Sequence, residues 1–219
     1  MPDWNNISTV LLDMDGTLLD LNYDSHFWQE YVPHCYAFSR GLDIPTAKRV
    51  LAPCFKRHEG TLNWYCLDFW SRELTLDIAA MKREVAHLIA IKPGALVFLD
   101  SLRRLGKRAV LVTNAHPRSL ALKLEHTRLD THLDELISAH ELGLPKEAPE
   151  FWAELQARSP FTPHRTLLVD DNLHALRSAA RFGIRHLLAA CHPDSKQSPR
   201  YSAEFPYFHQ FEEITPPSA

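Results

Sequence analysis

The amino-acid sequence predicts an α/β protein: a parallel sheet flanked by helices on both faces, with an all-helical cap inserted behind the first strand. Three observations predict it. Short apolar runs rich in β-branched residues recur along the chain, as strands buried on both faces require. From residue 93 onward these runs alternate with helical patterns, the order of βαβ units. Residues 20–90 carry no strand-like alternation and read as successive helices.

The first strand is read at 8–14, STVLLDM. Within the insertion, helices are expected at 23–39, 45–58, 61–73 and 77–89. The next helix spans 93–105, PGALVFLDSLRRL, with Pro93 suited to a first turn and Gly106 just past the end. Its Leu96, Leu99, Leu102 and Leu105 share one face. Strand RAVLVTN at 108–114 follows, then a helix at 118–127, strand ELISA at 135–139 and a helix at 149–157. Strand RTLLVDD at 165–171 precedes a helix at 172–182, which Asn172 can cap and Gly183 can close. The last strand is RHLLAA, 185–190. From His192 the chain is rich in Pro, Ser and aromatic residues without a period, and the terminal TPPSA is expected to fray. The domain organisation that follows is a core of 1–19 and 91–219, Rossmann-like, and a helical cap of 20–90 acting as a lid.

The 219 residues, 45% of them apolar, suffice for one such core with an insertion. A net charge of −3 supplies no basic field for a nucleic-acid polymer or an anionic membrane. No apolar run approaches the roughly 20 residues of a membrane span, and no basic-then-apolar leader opens the chain. Cys35, Cys54, Cys66 and Cys191 form no CxxC pair and no zinc-like spacing. Free thiols in a cytoplasmic protein are the expectation. The thirteen histidines include no HxH or HExxH, and His116 and His174 are read as structural.

Parallel sheets bind ligands beyond the C-terminal ends of their strands. There the sequence sets Asp13 and Asp15, Thr113 and Asn114, Asp170 and Asp171, with Lys146 a short loop beyond the third strand. Four carboxylates brought that close cannot all stay ionised without a cation. An all-oxygen donor set suits a hard divalent ion such as Mg²⁺. A metal among carboxylates, with a lysine and a hydroxyl beside it, suits transfer of a phosphoryl group.

These residues also carry a resemblance. DMDGTLLD resembles the first motif, DxDG[TV], of the haloacid dehalogenase superfamily. LVTNA is similar to the second motif, Lys146 to the third, and LLVDDN at 167–172 to the fourth, all in the family's order. The resemblance implies Asp13 as the nucleophile that becomes an aspartyl-phosphate. Asp15 would be the general acid and then base, with Thr17 orienting it. Thr113, Asn114 and Lys146 would bind the phosphoryl oxygens. The metal would be held by Asp13, the Asp15 carbonyl and Asp171, with Asp170 reaching it through water or serving to orient the site.

TVLLDMDGTLLDL at 9–21, TLNWYCLDFWS at 61–71, and the run from Thr113 to Ser138 extend the likeness to the superfamily's bacterial branch of GMP/IMP 5′-nucleotidases. That branch implies hydrolysis of a purine mononucleotide by a monomer or weak homodimer. Another small ester, such as a sugar phosphate or phosphoglycolate, or a phosphomutase reaction, is the alternative. The insertion is also rich in aromatic residues, from Tyr23 to Trp70. Most of them would form its own core, leaving one or two to meet a planar leaving group.

Overall fold

The computed structural model describes residues 2–217. Its first strand, β1 (Thr9–Leu12), is buried throughout. The chain then leaves the sheet for a run of helices. Helix α1 (Asn22–His26) passes through a π turn at Phe27–Tyr31 directly into α2 (Val32–Arg40), where one regular helix was expected. Helix α3 (Ile44–His58) starts where the Asp43 carboxylate accepts a hydrogen bond from Thr46 N at 2.6 Å.

The expected helix 61–73 is instead two, α4 (Leu62–Tyr65) and α5 (Leu67–Leu74). The break falls at Cys66, whose backbone is extended and whose Sγ accepts from Phe69 N at 3.4 Å. Helix α6 (Ile78–Glu84) ends in a 3₁₀ turn, Ala86–Leu88. These helices pack around a cluster of their own that includes Tyr23, Phe27, Trp70, Leu74 and Ile78. Edge-on aromatic contacts such as Phe55 against Trp70, 5.1 Å between centroids, fix its geometry.

The chain returns beside the point it left. Asp20 N donates to Ala90 O and Lys92 N donates to Leu18 O, each at 2.9 Å. Leu19 and Ile91 form an isolated antiparallel bridge between them. Helix α7 (Ala95–Arg104), strand β2 (Arg108–Thr113) and helix α8 (Pro117–Thr127) follow. Strand β3 (Glu135–Ser138) runs into the one-turn α9 (Ala139–Leu142), and α10 (Phe151–Arg158) precedes β4 (Thr166–Asp170). Helix α11 (Leu173–Phe182) leads to β5 (His186–Ala190).

All adjacent strands pair in parallel, in the order β3-β2-β1-β4-β5-β6, the last being Tyr207–Phe208. Side chains alternate across the sheet. Val10, Leu12, Leu111 and Val169 join Phe98 and Leu99 of α7 on one face, while Leu11, Val110 and Leu168 join Phe151, Trp152 and Leu176 on the other.

The aperiodic C-terminal part is not structureless. Its β6 (Tyr207–Phe208) adds a short sixth strand to β5, and Phe211 packs on Phe98 at 5.1 Å. Of TPPSA, the last two residues lie outside the described ones, and Thr215 is tied back to Phe211 O at 2.7 Å. Among the described residues no helix is long and apolar enough to cross a membrane.

Candidate active site

The C-terminal ends of β1, β2 and β4 deliver the acidic and polar side chains to one place, as the parallel topology dictates. The Asp13 backbone N–H donates to Val169 O at 2.9 Å, which ties the residue after β1 into the sheet. Its side chain is 7% exposed. Oδ1 accepts a hydrogen bond from Lys146 Nζ at 2.5 Å, and the buried Oδ2 has no partner among the described residues. The same ammonium donates to Asp170 Oδ2 at 2.7 Å, and Asp170 Oδ1 accepts from Asn172 N at 2.9 Å. Both Asp170 oxygens are therefore engaged. No side-chain hydrogen bond holds the Asp171 carboxylate among the described residues.

Carboxylate oxygens of Asp13, Asp170 and Asp171 lie within 4.8 Å of one another. Burial, the facing Asp170 and only partial relief from Lys146 push Asp13 up to about 6. Burial and then Asp13 and Asp170 push Asp171 well above the ordinary carboxylate range. Burial opposes charge on Lys146 too, yet the two aspartates outweigh it and hold its pKa above that of a free lysine. One ammonium among three carboxylates leaves excess negative charge. The orphaned Asp13 Oδ2 and the oxygen-only donor set fit a hard divalent cation.

Gly16 makes room for this arrangement. Its φ of +91° suits a residue without Cβ, and a Cβ there would meet Asp171 Cγ at 2.7 Å. The turn it opens directs Asp15 away from Asp13's lysine and toward another. Asp15 Oδ1 accepts from Lys123 Nζ of α8 at 2.6 Å, and that nitrogen also donates to Asp24 Oδ2 of α1 at 2.6 Å. Lys82 of α6 donates to Asp24 Oδ1 at 2.6 Å. Both lysine side chains are 2% exposed. Burial, then Asp24 and Asp13, raise Asp15 to about 6 in spite of Lys123. Asp24 is held well below the ordinary range: the two lysines overcome its burial.

A third network ties the loop after β3 to both neighbours. Asn114 Oδ1 accepts from Lys146 N at 2.9 Å, and its Nδ2 donates to Glu147 Oε2 at 2.9 Å. Glu147 Oε1 accepts from Asn172 Nδ2 at 2.8 Å and from the Tyr65 hydroxyl of α4 at 2.7 Å.

Asp13, Asp15, Asn114, Lys146, Asp170 and Asp171 thus line one cleft of about 860 Å³ between sheet and helical layer. Thr113 does not line it. That residue is 1% exposed, and its Oγ1 accepts from Ala115 N at 3.0 Å, which leaves its O–H to donate. Thr17 makes no side-chain hydrogen bond to Asp15; its buried hydroxyl has no partner among the described residues. His174 stands on the rim.

Cys66, His116 and His140 also bring donor atoms within 4.8 Å of one another, from segments whose sequence spacing gives no hint of it. Two of the three are committed as helix caps. Cys66 Sγ caps α5, and His116 Nδ1 accepts from Arg118 N at 3.3 Å, which puts the His116 proton on Nε2. Sequence reasoning missed Glu147, Lys123, Lys82 and Asp24. The signal for Lys123 was its place on the apolar stripe of α8, between Leu120 and Thr127.

The model of the haloacid dehalogenase-like hydrolase family matches residues 7–183. The chain is 41% identical over 213 residues to the GMP/IMP nucleotidase YrfG of Escherichia coli strain K12, covering 97% of this chain and 96% of that protein. It is 20% identical over 201 residues to the (S)-2-haloacid dehalogenase 4A of Burkholderia cepacia, covering 82% and 81% of the two chains. Among solved structures, a HAD phosphatase from Thermococcus onnurineus superposes with a TM-score of 0.79 at 20% identity, covering 95% of this chain and 96% of that one.

Proposed function

This chain belongs to the haloacid dehalogenase-like hydrolase family, and we propose that within it the protein is a phosphatase that hydrolyses the purine nucleoside 5′-monophosphates GMP and IMP. The observation that carries the reading is the reach of the similarity. Identity of 41% over 97% of the chain includes the helical insertion as well as the sheet, and the side that meets the leaving group is therefore matched along with the catalytic side. The division into a core of 1–19 and 91–219 and a cap of 20–90 is part of the proposal; the separate apolar cluster of the helices supports it.

The chemistry assigned here starts from Asp13. One of its oxygens is held by Lys146, the other is buried with no hydrogen-bond partner among the described residues, and the residue lines the cleft. That oxygen attacks phosphorus, and the P–O bond to the nucleoside breaks as the aspartyl-phosphate forms. Asp15, raised to about 6 and lining the same cleft, gives its proton to the departing 5′-oxygen. It then takes a proton from the water that cleaves the acyl phosphate, so that inorganic phosphate is released and Asp13 and Asp15 are regenerated.

Lys146 neutralises charge on the phosphoryl oxygens, and Asn114, which lines the cleft just past β2, offers them its backbone N–H, while Thr113 stays behind it. Mg²⁺, held by Asp13, Asp171 and the Asp15 carbonyl, would supply further charge neutralisation. Asp170, with both oxygens engaged, orients Lys146 rather than reaching the metal directly.

The test is a phosphate-release screen of the whole chain across nucleoside monophosphates, sugar phosphates and phosphoglycolate, with and without Mg²⁺. IMP and GMP should give the highest kcat/KM, and chelation or Asp13→Asn should abolish release. A preference for a sugar phosphate or phosphoglycolate would overturn the substrate assignment.

A further inference from the structure

A second, smaller cavity of about 250 Å³ opens beside the first. Asp15, Trp64 and Tyr65 line both, so the cavity begins where the leaving oxygen must stand to receive the Asp15 proton. One wall is a helical stripe: Leu21, Asp24, Ser25, Trp28 and Gln29 recur at the spacing of a single face. The opposite face of the same rod, carrying Tyr23 and Phe27, is buried in the helical core. Trp28 belongs to both, lining the cavity and packing on that core.

Three residues of the wall differ from what mere packing requires. Trp28 is half-buried and locked edge-on by Phe27 at 5.0 Å and Phe55 at 5.8 Å, with Trp70 at 5.9 Å. Its ring is therefore placed before any ligand arrives, and little side-chain freedom is left to lose on binding. Gln29, in the π turn, has a side-chain amide with no hydrogen-bond partner among the described residues. Ser119 of α8, on the far wall, is only 4% exposed, and its hydroxyl likewise has no partner among the described residues. Ser119 lines the cavity, so this hydroxyl is available to a ligand there.

We propose that this cavity is the nucleoside subsite: the purine base stacks on Trp28, Gln29 hydrogen-bonds the edge of the base, and Ser119 meets a ribose hydroxyl. The assignment rests on the purine-nucleotidase reading above and names the residues that would carry it. A flat aromatic face accepts any base, as every base has a π face. The N7/O6 edge of a 6-oxopurine offers two acceptors to an amide N–H₂.

The experiment compares kcat/KM for IMP with kcat/KM for ribose 5-phosphate, which has the sugar and no base. It uses the wild type, Trp28→Leu, Gln29→Leu and, in the outer cleft, Tyr201→Ala. Competitive inhibition by inosine gives the same comparison without chemistry. Loss of one stacked base, worth about 1–3 kcal/mol, corresponds to a fall of roughly 5- to 150-fold.

Trp28→Leu should lower the IMP to ribose 5-phosphate ratio by about that factor and weaken inosine to match. Gln29→Leu, on an exposed position that does not bear on folding, should lower the ratio about 5- to 10-fold. Unchanged ratios in both variants, or a base-specific loss confined to Tyr201→Ala, would overturn the subsite while leaving the nucleotidase reading intact. Failure of the wild type to turn over any purine nucleotide would defeat that reading, and the subsite with it.

Discussion

Asp15 and Asp24 hold a single ammonium between them: Lys123 Nζ stands 2.6 Å from an oxygen of each. Asp15 follows β1, Lys123 lies on α8 beside the sheet, and Asp24 lies on α1 of the helical insertion. The side chain of the assigned general acid is therefore joined to the helical layer through one buried cation.

Removing that cation should be expensive. Lys123→Met would leave two carboxylates, 21% and 18% exposed, facing each other without their shared partner. Breaking a buried pair in this way costs about 3–5 kcal/mol. Asp24 keeps Lys82, so the loss comes from Asp15 and from repulsion between the two carboxylates, and it should shrink when Asp24→Asn is made in the same chain because that repulsion is gone. Urea titration of the two single variants and the double variant measures the coupling. Strictly additive losses would show that the three groups do not act as a unit.

Glu147 gathers three donors, from Tyr65, Asn114 and Asn172. Glu147→Ala should cost about 2–4 kcal/mol, because each donor is stranded in a part-buried site. Tyr65→Phe removes only the bond across to α4 and should cost about 1 kcal/mol. Burial and the Glu147 carboxylate hold the Tyr65 phenol well above its ordinary pKa, so the hydroxyl remains a donor up to strongly alkaline pH. Equal losses in the two variants, read from thermal or urea midpoints, would contradict this ranking.

Gly16→Ala tests the acidic cluster without touching a charge. The new methyl group would sit 2.7 Å from Asp171 Cγ on a backbone with φ +91°. Backbone strain of this kind costs about 1–3 kcal/mol, and Asp171 must move to admit the methyl. The Mg²⁺ concentration needed for half-maximal phosphate release should rise at least 10-fold. An unchanged Mg²⁺ dependence would mean that Asp171 is not where the cation binds.

His140 sets a pH dependence of stability. Burial, with His116 beside it, pushes this imidazole down to about 4, against about 6.5 in an unfolded chain. The folded protein resists a proton that the unfolded chain accepts. The contribution of His140 is therefore complete above pH 6.5 and is lost as pH falls toward 4. Asp13 and Asp15, raised to about 6, act in the opposite sense over part of that range, so the comparison is with His140→Gln. Between pH 7.5 and 5 the thermal midpoint of the wild type should fall further than that of the variant.

The sheet was legible because five of its strands are continuous apolar runs with polar residues at their ends. The sixth was not: Tyr207–Phe208 is two residues long, follows Pro206, and is a strand only through pairing with Ala189 and Ala190. The helix break at Cys66 was hidden because a cysteine cap lacks the usual oxygen signature. The carboxylates of the site could be named from strand-end positions, whereas Lys146, which lies past β3 and the one-turn α9, was reached through the family resemblance. Glu147, one residue on, reads in sequence as part of a solvated turn. Lys82 and Lys123 were passed over for a related reason: lysine is ordinarily exposed, and only packing against two aspartates explains their burial.

Residues 18–20 and 90–92 are stitched together by Leu19, Ile91 and the backbone bonds on either side. The helices between them hang from a closed seam, and the ends of that excursion meet whatever its length. A loop whose ends are already joined adds little closure entropy as it grows. Grafting a foreign helical bundle at this seam should leave strand register and the acidic crevice in place while changing which molecule is admitted to it.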